Sequence, residues 1–273
     1  MTDKQKEKPS LALFKECTGC SACRSVCPQN CIVMKKGSYG FLHPVVDYTN
    51  CVNCKTCESA CPVINKIEPI DSKNLKVYAA YSLQDEIRKE SSSGGVFSEL
   101  AAQVLSDGGV VCGAAYDSDF SVHHICVHDK NDLWKLRGAK YSQSDLENSF
   151  YEVKNNLDLK RKVLFSGTPC QVAGLKAYLG KDYSNLLCID FVCHGVASPE
   201  VWSQYVNYRA NNDNKGVSPV FINLRNKDSG WSNYKYSVHF RYSNKLNYKG
   251  INGQDEFTRL YSSNSIIDRR AHV

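Results

Sequence analysis

The phrase CTGCSACRSVCP at positions 17 to 28 returns as CVNCKTCESACP at 51 to 62, and nothing else in the chain constrains its folding as much. Each copy reads CxxCxxCxxxCP. Cys17, Cys20, Cys23 and Cys27 match Cys51, Cys54, Cys57 and Cys61 at a constant offset of 34 residues, so the two phrases form an internal repeat in strict register.

Three chemistries compete for these eight thiols. A disulfide framework needs an oxidising compartment, yet the N-terminus MTDKQKEKPS is polar and lacks the apolar core of a signal peptide. Zinc sites usually pair two CxxC units, and a third cysteine in every repeat gives zinc ligands it does not need. The remaining reading is the bacterial ferredoxin run, in which three thiolates grip one [4Fe–4S] cube and the fourth, before the proline, reaches across to the other. The expected ligand sets are therefore Cys17, Cys20, Cys23 and Cys61 for the first cluster, and Cys51, Cys54, Cys57 and Cys27 for the second. Cys31, just after the first phrase, is required by neither cube and has no assigned role.

Composition sets the outer bounds. A ferredoxin module of about 60 residues leaves about 200 of the 273, enough for one well-cored domain. The formal charge of +6 counts cysteines as neutral, and ligated thiolates would lower it. Lys and Arg are scattered without a basic stripe or reading helix, so no nucleic-acid partner is expected. No stretch reaches the ~20 apolar residues of a transmembrane helix. Fourteen cysteines without a secretion signal point to a reducing cytoplasm, and oxygen-labile clusters suit an anaerobe.

The ferredoxin module is expected over residues 10–70, with strands CIVMKK and FLHPVV around the ligand loops. The polar stretch NKIEPIDSKN marks a linker with a boundary near residue 72, and the second domain then occupies 75–273. There VYAAYS (77–82) reads as a strand, and SSSGGVFSELAAQVLSDGG as a helix with serines and glycines at its start and Gly-Gly after its end. VVCGAAYD (110–117) and VHHICVH (122–128) read as strands, and KVLFSGTPCQVAGLKAYLG as strand, turn and helix. LLCIDFVCHG (186–195) reads as a buried strand, and SPEVWSQYVNYRA as a helix capped by Ser198 with Pro199 in its first turn. FINLRNK and YKYSVHFRYS alternate as antiparallel strands do.

Three strand-to-helix joints carry candidate chemistry. Ser91, Ser92, Ser93, Gly94 and Gly95 present unhindered N–H groups and hydroxyls at a helix start, which serves either as plain capping or as a phosphate site. Gly167, Thr168, Pro169, Cys170 and Gln171 place Cys170 at the positive end of a helix dipole, where a thiol pKa is lowered. The same position suits a packing cysteine or a metal ligand. At Cys193, His194 and Gly195 the histidine shuttles protons, contacts a flavin, or is simply bonded to backbone. Cys170 and His194 are the catalytic candidates. His123 and His124 read as structural, and Cys112, Cys126 and Cys188 as small core residues.

Taken in order, SSSGGVFSELA (91–101), LRGAKYSQS (136–144), FSGTPCQVAGLKAYL (165–179) and CHGVASPEVW (193–202) resemble the beta-subunit family of coenzyme F420 hydrogenases and dehydrogenases. The resemblance implies an iron–sulfur flavoprotein in which FAD exchanges hydride with coenzyme F420 or a similar small two-electron carrier, while two [4Fe–4S] clusters pass single electrons to or from a partner protein or subunit. The implied fold class is α+β: a small bacterial 2[4Fe–4S] ferredoxin-like domain followed by a larger mixed α/β flavin-binding domain. Ser92, Ser93, Gly94, Gly95, Gly167, Thr168, Pro169 and Cys170 would then face the flavin, and Lys140, with Arg137, would neutralise phosphates or remain a solvated charge.

Family members continue into a further cysteine-containing stretch and an acidic-aromatic strand, which FTRLYSSNSIIDRRAHV lacks, so the second domain reads as C-terminally incomplete. That leaves a second reading open: a non-enzymatic ferredoxin-type carrier, or a truncated remnant without flavin.

Overall fold

The 34-residue repeat is visible in the backbone. Gly19 and Asn53 both take positive φ, at 69° and 53°, and so do Ser21 and Lys55, at 60° each. These left-handed residues turn the chain inward ahead of the single helical turns α1 (Ala22–Ser25) and α2 (Thr56–Ser59). Between the turns lies the antiparallel hairpin β1 (Ile32–Lys36) and β2 (Leu42–Val46), with Ile32 opposite Val46. Too short to bury a conventional core, this unit packs Ile32, Leu11, Val26 and Val46 around its own cysteines.

A computed structural model describes residues 7–66, 73, 75–228, 230–231, 235–251 and 253–268. The boundary expected near residue 72 and the last five positions of the chain lie outside those residues. Among the described residues no helix is long and apolar enough to cross a membrane.

The larger domain begins with α3 (Asp85–Glu90) and α4 (Val96–Ser106), then β3 (Val110–Tyr116), β4 (Val122–Val127) and a 3-10 helix (Lys130–Leu136). It continues through α5 (Ser149–Asp158), β5 (Val163–Ser166), α6 (Pro169–Leu179) and β6 (Leu186–Ile189). The sheet order is β4-β3-β5-β6, antiparallel at the first pair and parallel at the other two. Alternate residues of β3 face opposite layers: Val110 and Cys112 meet α5 and α6, whereas Val111 and Ala115 meet α4 and the 3-10 helix.

The last third adds β7 (Val196–Ala197), α7 (Pro199–Asn214), the antiparallel β8 (Phe221–Asn226), β9 (Ser237–Arg241) and β10 (Asn247–Ile251), α8 (Glu256–Ser262) and β11 (Ile267–Asp268). Ser198 caps α7 by accepting from the Val201 N–H at 3.2 Å, with Pro199 in the first turn, as its sequence predicts. Trp202, Tyr205, Phe240 and Phe257 form the core of this part.

Three expectations need correction. VYAAYS forms no strand: Val77 and Tyr78 are exposed, and among the described residues no strand pairs with it. LLCIDFVCHG is a strand only over Leu186–Ile189, at the edge of its sheet where Leu187 is exposed, and Val192 beyond it is fully exposed. Cys112 and Cys126 do pack in the core, but not as separate thiols: as Cα partners across β3 and β4 their sulfurs are joined in a disulfide.

Candidate redox sites

The folded repeat sorts its eight cysteines into two clefts. One is lined by Cys17, Cys20, Cys23 and Cys61, and the other by Cys27, Cys51, Cys54 and Cys57. Each cleft takes three sulfurs from one phrase and one from the other, the crossed arrangement of the ferredoxin run. Each cleft brings together the four thiols that a cubane requires.

Local geometry supports the sulfurs symmetrically. The Gly19 N–H lies 3.4 Å from Cys17 Sγ, and the Asn53 N–H 3.4 Å from Cys51 Sγ, each at a positive-φ residue. Burial pushes the Cys20 thiol up to about 12 and raises Cys23 and Cys57 as well. Loading iron must therefore displace protons from these thiols. A fifth sulfur joins the second cleft: Cys31 is buried and its Sγ lies 3.4 Å from Cys27 Sγ.

The first cleft is the inner one. Cys20 belongs to the same core cluster as Cys170, Cys193 and Leu175 of the larger domain. Gln143 holds the module by its amide: the Leu42 N–H donates to Gln143 Oε1 at 2.6 Å, and Gln143 Nε2 donates to the Leu42 carbonyl at 3.2 Å. Arg24 pairs with Asp145 at 3.6 Å. The second cleft faces outward, with Cys54 exposed.

Cys170 sits in the first turn of α6, behind Pro169, with Thr168 Oγ1 3.1 Å from its Sγ. The Thr168 N–H donates to Gln171 Oε1 at 2.9 Å and closes the helix start. The lowered thiol pKa expected from the helix dipole is not what the environment produces. Cys170 is almost wholly buried, and desolvation raises its pKa against the opposing Thr168 hydrogen bond. His194 is exposed, its ring 5.5 Å from that of Tyr261. His124 is buried and structural: Nε2 donates to the Ser166 carbonyl at 3.2 Å, so Nδ1 accepts from Ser144 Oγ at 2.7 Å.

The carbonyls of Ser92 and Ser93 accept from Trp231 Nε1 at 3.2 Å and Lys227 Nζ at 2.9 Å, and that of Gly94 from the Ser82 N–H at 2.7 Å. Gly95 caps α4 with φ at 88°, where a Cβ would also stand 3.0 Å from Ile87 Cγ2. Arg137 joins this loop to LRGAKYSQS by bonding Ser98 Oγ at 3.1 Å and pairing with Glu90. That ion pair removes Arg137 as an uncommitted phosphate ligand.

Lys140 is different. Its ammonium donates to the Arg137 carbonyl at 2.9 Å and lies 5.3 Å from the centre of the Tyr116 ring, with no carboxylate pairing it among the described residues. Desolvation pushes its pKa down to about 7. Tyr116 OH, Ser142 Oγ and Arg225 Nε are buried without a hydrogen-bond partner among the described residues. Tyr141, between Lys140 and Ser142, bonds Arg225. A half-buried cation against the ring of a tyrosine whose own hydroxyl is unsatisfied is the chemistry an anionic, polar ligand completes. Tyr116 and Arg225 gave no sequence signal, because each sits in an ordinary strand pattern and only the fold brings it beside LRGAKYSQS.

Three family models match: a 4Fe-4S dicluster domain over residues 16–65, the N-terminal part of the coenzyme F420 hydrogenase/dehydrogenase beta subunit over 77–150, and that subunit's C terminus over 160–259. Among solved structures, the chain is similar to one from the xenon-derivatised F420-reducing [NiFe] hydrogenase complex of Methanosarcina barkeri, at 16% identity and a TM-score of 0.45. The match covers 69% of this chain and 62% of that one, so less than two thirds of the relative is represented. No curated protein matches.

Proposed function

Since the chain belongs to the coenzyme F420 hydrogenase/dehydrogenase beta-subunit family, we propose that it is an oxidoreductase subunit linking a redox partner protein to coenzyme F420 or a similar small two-electron carrier through two [4Fe–4S] clusters and FAD. The observation that carries this reading is the crossed sorting of eight cysteines into two clefts, with the inner cleft packed on the core of the larger domain.

Cys17, Cys20, Cys23 and Cys61 would hold the inner cluster, and Cys51, Cys54, Cys57 and Cys27 the outer one. Lys140 would place its charge against the flavin's phosphates, with Tyr116, Ser142 and Arg225 supplying donors. Ser92, Ser93, Gly94, Gly95, Gly167, Thr168 and Pro169 would shape the surrounding wall, with Cys170 packed between flavin and inner cluster. A bound flavin supplies the exchange between one two-electron transfer and two single-electron transfers, which clusters alone cannot perform. The chain's own part is to order the centres, exclude water and neutralise charge. We place this activity in the cytoplasm.

Iron, acid-labile sulfide and flavin measured on one anaerobic preparation test the reading. About eight iron per chain with stoichiometric FAD supports an iron–sulfur flavoenzyme. Eight iron without flavin, persisting after incubation with FAD, would replace it with a ferredoxin-type electron carrier. Brown absorbance absent from a preparation that contains zinc would remove both.

A further inference from the structure

The repeat is exact in its ligands but broken in three residues that touch them: Asn53, where the offset has Gly19, adds only an acceptor, its Oδ1 3.6 Å from Cys51 Sγ, and the other two bring donors. At the 34-residue offset Cys31 corresponds to Asn65, and Thr56 to Ala22. Cys31 sends its sulfur into the outer cleft, 3.4 Å from Cys27 Sγ. Asn65 does nothing comparable at the inner one: its amide donates to the carbonyls of Glu58 at 2.7 Å and Ser59 at 3.1 Å, closing its own turn. Thr56 Oγ1 donates to Cys54 Sγ at 3.3 Å, where Ala22 has no side-chain donor to offer.

A cubane needs four thiolates and the outer cleft has them without Cys31. An iron-bound Cys27 is a thiolate and can only accept, so the Cys31–Cys27 contact requires Cys31 to donate its S–H. Hydrogen bonds to cluster sulfur disperse its negative charge, which favours the reduced state. Exposure at Cys54 acts in the same direction, since added negative charge is better tolerated near water.

We infer that Cys31 and Thr56 are positioning residues that split the two clusters in potential: their S–H and O–H bonds to Cys27 and Cys54 hold the outer cluster above the inner one. An electron entering the chain then rests on the outer cluster, beside the surface a partner protein can reach. This rests on the two-cluster reading above.

The test is an EPR-monitored potentiometric titration of the full chain, prepared anaerobically, as wild type, Cys31→Ala, Cys31→Ser, Thr56→Val and the double variant Cys31→Ala/Thr56→Val. Each loss of a donor should move one of two midpoints negative while the other stays. A tenfold lower ratio of reduced to oxidised outer cluster at fixed potential corresponds to about 59 mV for a one-electron centre. The double variant should shift further, and Cys31→Ser, which keeps a donor, should stay near wild type, all at about eight iron. Midpoints that do not move, or that move together, would overturn the inference and leave the clusters in place. Loss of about four iron in Cys31→Ala would overturn it by making Cys31 a ligand. A wild type without eight iron would remove the cluster reading itself, and the inference with it.

Discussion

Gly174 and Cys20 meet across the two domains: a Cβ on Gly174 would stand 3.1 Å from both the Cβ and the Sγ of that cysteine. The glycine in the middle of α6 therefore sets how closely the inner cleft approaches the larger domain. An alanine there should gain about 1 kcal/mol of helix propensity but lose about 1–3 kcal/mol to overpacking, because the neighbour is held by its own backbone and, when loaded, by iron. Gly174→Ala should be modestly destabilised with its iron intact. Gly174→Val should lose about half its iron, as the inner cluster is expelled. Iron content and thermal unfolding on the same samples check this, and an alanine variant more stable than wild type would show the contact to be loose.

The crossed ligand sets predict which variants behave alike. Cys61→Ser and Cys17→Ser should each retain only the outer cluster and give the same EPR spectrum, although the two residues lie in different phrases. Cys27→Ser should instead match Cys51→Ser. Spectra that group by phrase rather than by cleft would refute the crossing.

Lys140 should control flavin binding. Replacing it by Met removes a charge-assisted contact of about 1.5–3 kcal/mol, or on the order of 10- to 100-fold in affinity. With the pKa held near 7 by burial, the ammonium is lost as pH rises through that value, so flavin affinity should weaken above it. Lys140→Arg should remove that pH dependence. Fluorescence titration of flavin against pH reads both effects; an unchanged affinity in Lys140→Met would exclude Lys140 as a flavin ligand.

Acid should destabilise the larger domain through His124. Burial lowers its pKa from 6.5 to about 4, so between those values the unfolded chain binds the extra proton and stability falls as pH falls. The full loss, reached below about pH 4, is about 3 kcal/mol. A His124→Gln variant should be less stable at neutral pH yet show a shallower decline from pH 6.5 to 4, measured by urea unfolding.

Much of the fold was legible in short patterns. The α7 cap at Ser198 and Pro199, the Thr168-Pro169 start of α6 and the alternation of β8 and β9 are set by residues a few positions apart, which a sequence displays directly. VYAAYS misled because alternation describes a half-buried surface only if a neighbouring strand exists to cover it. Cys112 and Cys126 looked like isolated core thiols because their bond depends on the register of β3 against β4.

The candidate sites divide in the same way. The chain alone determined the cluster chemistry and its number, because a repeated ligand spacing is a local property that each 12-residue phrase carries whole. Only the tertiary structure decided which cleft lies against α6 and which faces outward, that Cys170 is a buried and reluctant thiol, and that Lys140 lies over the Tyr116 ring while Arg225 bonds its neighbour Tyr141. Those are matters of burial and of contacts between distant segments, and desolvation, the force that moves Lys140 and Cys170 from their ordinary states, exists only once the chain has closed around them.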